Sequence, residues 1–228
     1  MQIALIFISL IVLGIMLARI SAKLLFNYFN KIDKIESDCN LTSFELLVYF
    51  IQTLNLNIKV AKFGHYLDNS YDIKNKIIVL SEEVFENRSV GALSVSMHEL
   101  GHAVQHKNKS LLFYVNYALL ILNKITSIIL LPLIIFLIVS LFLPVTYFNI
   151  ALTLLFVFYI INLLARIIII PLEGNASKIA INLLKEYNIF NLKELKMAKK
   201  MLFYAKMTYV GGFFKVYSKI FRKILRGF

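Results

Sequence analysis

Acidic residues are scarce in this chain: 13 Asp and Glu stand against 25 Lys and Arg over 228 residues, a formal net charge of +12. In a soluble protein that excess points to nucleic acid. No zinc-finger spacing, RNA-binding signature or polar stretch of basic and stacking aromatic residues accompanies it, so nucleic acid is not an expected partner. Cysteine is all but missing. Cys39 alone permits no intramolecular disulfide, so an oxidising compartment is neither required nor indicated. Internal repeats and low-complexity linkers are absent as well. What fills the chain instead is apolar: 59% of residues are hydrophobic and the mean hydropathy is +0.75, which excludes an ordinary soluble protein.

Charge is missing altogether from two stretches. Residues 1 to 18, MQIALIFISLIVLGIMLA, are closed by Arg19 and approach the length that a bilayer core demands. They lack the basic start and small-residue cleavage site of a signal peptide, so a retained anchor is expected. Residues 125 to 165 are the second, about 60 Å at helical rise and twice the hydrocarbon thickness. They are expected to fold back at Pro144 into spans near 126–143 and 148–166, with Pro132 as a tolerated kink. Every Lys and Arg lies in 19–124 or 166–228. Three spans starting outside would put both charged regions on one side, and the positive-inside rule makes that side the cytoplasm.

Between anchor and hairpin the pattern is that of a folded domain. Thr42 and Glu45 form a capping signature before the helically spaced run TSFELLVYFIQTL. IKVAKF (58–63) and KIIVL (76–80) read as short strands that pair as a hairpin across GHYLDNSYDIKN. A helix over 89–106 follows, capped by Ser89. The layout expected is an anchor (1–24), a catalytic region (25–124), a hairpin (125–166) and a last segment (167–228). In that last segment GGFFKVYSKIFRKILRGF places its cations on one helical face and its apolar residues largely on the other, as helices lying in an anionic membrane interface do.

Three of the four histidines crowd into SVSMHELGHAVQH, residues 94–106. Side chains four apart share a helix face, so His98 and His102 can converge on one ion about 2.0 Å from each nitrogen. Glu99 is turned about 100° from His98, beside the ion, where its carboxylate can hold a water. Gly101 costs helix stability, and makes sense if something packs tightly on that face. A catalytic zinc needs a third protein ligand and an open position. The candidates are His65, His106 and Glu173. His106 has rotated about 80° from His98, and His65 sits in a turn. Glu173, in IIIIPLEGNASKIAINLLKEY, follows the returning span and opens a helical pattern with the small residues Ala176, Ser177 and Ala180. A carboxylate beside an apolar run needs a partner or a ligand role. The plain alternative is a first-turn acid favoured by the helix dipole.

The order of anchor, KIIVLSEEVFENRSVGALSVSMHELGHAVQHK, hairpin, PLEGNAS and KMLFYAKMTYVGGF resembles the YugP-type membrane zinc metallopeptidases of bacteria. The resemblance is dense over 65–124 and 170–212. It implies a mainly α, multi-pass protein of the bacterial cell membrane, with a small β-hairpin and a zincin-like active-site helix near the inner face. It also implies Zn2+ as cofactor, His98, His102 and Glu173 as metal ligands, Glu99 as general base, and peptides or proteins as substrates. The family typically reads Glu-Phe-Asp-Ala-Ser where this chain has Glu173-Gly174-Asn175-Ala176-Ser177. Asn175 brings no carboxylate, so any bond it makes to a liganding histidine would be neutral and weaker. Tyr209 is a candidate oxyanion donor, or simply an interfacial anchor. Two other readings stay open: a membrane scaffold with a structural or lost metal site, and another family of membrane gluzincins.

Overall fold

A computed structural model of the protein describes residues 2–63 and 69–211. His65, and most of the basic amphipathic tail expected over 211–228, lie outside the described residues. The elements are α1 (Gln2–Ile32), α2 (Ser43–Thr53), β1 (Lys59–Lys62), β2 (Ser70–Asp72), β3 (Ile77–Leu80), α3 (Glu82–Phe85), α4 (Val90–Lys107), α5 (Leu111–Ser140), α6 (Val145–Glu186) and α7 (Leu192–Gly211). The fold is mainly helical with one small sheet. The chain forms two compact units, one of residues 22–114 and 171–206, the other of its remaining described residues.

The first unit carries the core. Phe29 and Ile32 of α1, Leu46, Leu47 and Phe50 of α2, Ile78 and Leu80 of β3, Leu93, Met97 and Leu100 of α4, and Ala180 and Leu184 of α6 are all buried in one cluster. Thr42 closes the expected capping box on α2, its hydroxyl accepting from the Glu45 amide while the Glu45 carboxylate accepts from the Thr42 amide. Ser89 caps α4 by accepting from the Ala92 amide, and its hydroxyl donates to Asp33 at 2.6 Å. That bond pins the start of α4 to the chain just past α1.

The sheet corrects the strand expectation. β1 and β3 do pair, but in parallel, with Lys59 opposite Ile77 and Lys62 opposite Leu80. The hairpin partner of β3 is β2, taken from the stretch read as turn, giving the order β1-β3-β2. Asp72 closes the β2–β3 turn by accepting from the amides of Lys74 and Asn75, and Lys76 adopts a positive φ of 54°.

In the second unit α5 and α6 are joined by a tight turn over 141–144, ending at Pro144, and Pro132 lies inside α5. α6 differs from the expectation of a span ending near 166 followed by a new helix. It is continuous for 42 residues, with Pro171 inside it. A proline there forfeits one helical hydrogen bond, which flanking turns tolerate. Among the described residues, one helical stretch, Val12–Ile32, is long and apolar enough to cross a membrane by length and composition. The apolar runs Ile128–Ser140 and Val145–Phe158 are shorter.

Candidate metal centre

The site is built where α4 meets α6. A Cβ added to Gly101 would overlap the carbonyl oxygen of Ala176 and lie 3.1 Å from its Cα. Only glycine allows this approach, so backbone touches backbone at the motif's fourth residue. One turn before Ala176 on α6 stands Glu173, and one turn before His102 on α4 stands His98. The close approach therefore sets the carboxylate against the two rings.

His98 Nε2 lies 3.1 Å, and His102 Nε2 3.5 Å, from the same Glu173 oxygen, Oε2. All three donor atoms fall within 4.8 Å of one another. Ligands about 2.0–2.1 Å from a tetrahedral zinc are separated by about 3.3 Å, and the two distances bracket that edge. Two imidazoles and a carboxylate also form a donor set that zinc accepts. The chain can hold a metal ion here. With three donors drawn together among the described residues, a fourth position is left to solvent or substrate. Glu173 is buried, as are both rings for the most part.

The groups behind the rings fix their orientation. Gln105, buried on α4, donates through Nε2 to the Leu172 carbonyl at 3.0 Å and to Asn175 Oδ1 at 2.9 Å. Its oxygen therefore faces His102 Nδ1, at 3.0 Å, and can only accept, so Nδ1 carries the hydrogen and Nε2 points at Glu173. Ser177 Oγ sits 3.2 Å from His98 Nδ1. A hydroxyl both donates and accepts, so Ser177 suits either tautomer of His98. Neither role was read from sequence: Ser177 counted only as small, and Gln105 was passed over. The available signal was a polar residue one turn beyond His102 on a buried face. Asn175, expected to touch a liganding histidine if anything, reaches His102 only through the Gln105 amide. Gln105→Met removes the hydrogen-bond partner of His102 Nδ1 and of the Asn175 side-chain oxygen. Zinc affinity, measured by competition with a chromophoric chelator, should fall roughly 10- to 100-fold. Wild-type affinity would refute the relay.

Burial opposes charge on His102, but the hydrogen bond to Glu173 and the nearby Glu99 and Glu173 carboxylates outweigh it and hold the pKa up at about 9. Burial likewise opposes ionising Glu173, yet hydrogen bonds from His102 and His98 keep its pKa down at about 2. Without a metal, the pair is thus an imidazolium and a carboxylate at neutral pH. Glu99 is 8% exposed and, among the described residues, accepts no hydrogen bond from a protein group.

The other candidates sit elsewhere. His106 Nδ1 is 2.8 Å from the Tyr71 hydroxyl and its ring stacks on Phe113, so it ties α4 to β2 and the start of α5. Burial and the charge of Lys76 lower its pKa. Tyr209 lies near the end of α7, in the second unit.

Comparison with known sequences now bears on this geometry. The profile of the family described as "Putative neutral zinc metallopeptidase" matches residues 4–226, nearly the whole chain. The chain belongs to that family. The chain is also similar to "Putative membrane protease YugP" of Bacillus subtilis (strain 168), 34% identical over 80 residues. That match covers 35% of this chain and 36% of the relative, so it spans little more than a third of either length. No solved structure matches. The family's description implies zinc, and His98, His102 and Glu173 are a group that could hold it.

Proposed function

We propose that the chain is a membrane-embedded zinc peptidase in which His98, His102 and Glu173 hold the metal and Glu99 is the general base. The observation that carries this reading is the convergence of both Nε2 atoms on one Glu173 oxygen, with the Glu99 carboxylate close enough for its charge to act on His102. Bound there, zinc would supply Lewis acidity to the scissile carbonyl and lower the pKa of the attacking water. Glu99 accepts the proton as water attacks the carbonyl carbon, then delivers it to the leaving amine nitrogen, so no net proton is consumed by the base. Gln105 and Ser177 keep the rings aimed throughout. A structural zinc site is closed by four protein ligands, whereas three leave room for chemistry.

Chelation tests the reading. Removing metal should abolish peptide cleavage, and zinc alone should restore it at about one ion per chain. Cleavage that survives full chelation would end it. The chelated protein should also show a pH signature with a definite sign. The raised pKa of His102 contributes stability that is complete below 6.5 and lost as pH rises through about 9. The lowered pKa of Glu173 contributes stability that is complete above 4.5 and lost as pH falls towards about 2. The melting temperature of the metal-free protein should therefore fall as pH rises from 6.5 to about 9, as Glu173 loses its charged partner. Zinc-loaded protein should fall less there.

The membrane reading rests on large apolar side chains that face outward in the second unit, among them Ile128, Ile135, Ile138 and Phe142. Such surface suits lipid rather than water. Three crossings are proposed, by the anchor (1–24) and by the two arms of the hairpin (125–166). The regions 25–124 and 167–228, and with them the active site, then lie on the cytoplasmic side of the cell membrane. A cysteine introduced at Leu143 should react with an impermeant maleimide on whole cells. Labelling only after lysis would reverse the topology.

A further inference from the structure

α6 and α7 form a helical hairpin. Five residues, 187–191, connect them, Asn188 turns with a φ of 53°, and Asn191 caps α7 by accepting from the amides of Lys193 and Glu194. So short a connection makes the helices antiparallel neighbours. Between them runs an open groove of about 400 Å³. Lys178 and Lys185 line it from α6, and Lys199 and Lys206 from α7, over an apolar floor that includes Ile181 and Leu202. None of its lining residues is acidic, and none of the four lysines is in an ion pair among the described residues. Four like charges round one apolar trough repel one another unless an anion joins them.

The groove begins at the metal centre. Gly174, the neighbour of Glu173, and Ser177, the partner of His98, both line it. Lys206 reaches to within ordinary contact of Gly174. On each helix the two lysines are seven residues apart, about 10.5 Å of rise. Antiparallel packing sets Lys206 near the Lys178 end and Lys199 near the Lys185 end. The result is two cationic pairs about 10 Å apart along one line. In an extended polypeptide, side chains three residues apart stand about 10 Å apart along the chain and project to opposite sides, so each can meet a lysine on one wall of the groove. A single phosphate or headgroup would satisfy one pair and leave the other unneutralised.

We propose that this groove is a substrate subsite that binds an extended acidic stretch of the polypeptide being cleaved, with carboxylates about three residues apart and apolar side chains between them. It rests on the peptidase reading above. The test uses full-length, zinc-loaded Glu99→Gln protein in detergent. The probe is a fluorescein-labelled dodecapeptide with Glu at every third position among Ala and Leu, compared with its Lys-for-Glu twin by anisotropy. The acidic peptide should bind more tightly. Lys185→Gln together with Lys199→Gln, at the end of the groove away from the metal, should weaken it roughly five- to tenfold. Equal binding of the twins, or undiminished binding to the double variant, overturns the proposal. So does displacement of the peptide by phosphatidylglycerol mixed micelles but not by neutral ones, since the occupant would then be lipid. Cleavage of a neutral peptide by wild-type protein is followed in parallel. Selective binding without any cleavage refutes hydrolysis alone, and cleavage without selectivity refutes the groove alone.

Discussion

Glu99→Gln should reduce kcat for peptide cleavage by about 10²- to 10⁴-fold while the protein keeps its zinc. The substitution is nearly isosteric and leaves the three donors in place, so metal content stays near one per chain. What is lost is a site for the proton during attack. KM should change little, because Glu99 acts on the reacting water rather than on the remainder of the substrate. The side chain accepts no protein hydrogen bond among the described residues, so the variant strands no hydrogen-bond donor. Glu99 is also one of the charges holding the His102 pKa up, so that pKa should fall in the metal-free variant. An NMR titration of the imidazole reads this apart from activity. Cleavage within tenfold of wild type would remove Glu99 from the chemistry.

Gly101→Ala should cost the protein most of its zinc affinity, although the new methyl group touches no proposed ligand. The added carbon would overlap the Ala176 carbonyl oxygen, and that obstacle is backbone, which no rotamer change can move. α4 and α6 must part, and Glu173 is carried one turn along the displaced helix. Helix propensity alone would favour alanine by about 1 kcal/mol, while overpacking costs about 1–3 kcal/mol. Packing outweighs propensity, so the melting temperature should fall despite the better helix former. With ligand bonds near 2 Å, a small displacement of the carboxylate matters, and a roughly 10- to 100-fold loss of zinc affinity is expected. Unchanged affinity and melting would show that the helices can absorb the methyl group.

The site was largely legible because its chemistry is written in residue identity and local spacing. Two histidines four apart on one helix share a face whatever the tertiary fold, and the glycine between them already implied a close neighbour. Glu173 could be nominated from its setting, a lone acid at the end of an apolar run. Its distance from His98 could not, since that depends on Ala176 meeting Gly101. Gln105 was hidden for a different reason: an amide has no characteristic spacing, and its role exists only once the Leu172 carbonyl is beside it. The parallel pairing of β1 with β3 was also out of reach. A three-residue strand carries too little alternation to stand out from turn-rich sequence, yet inserting β2 is what makes β1 and β3 parallel. Pro171 misled in the opposite sense, since a proline reads as a break where α6 in fact continues.

The charge pair at the heart of the site has one more consequence. In the metal-free protein a proton on His102 offsets the charge of the Glu173 carboxylate, as the metal ion would. Building the polypeptide and charging it with metal are then separate events, and an empty molecule waits intact for its ion. Recovery of the chelated protein by zinc alone, without a cycle of unfolding, is the sign of such a vacancy held ready.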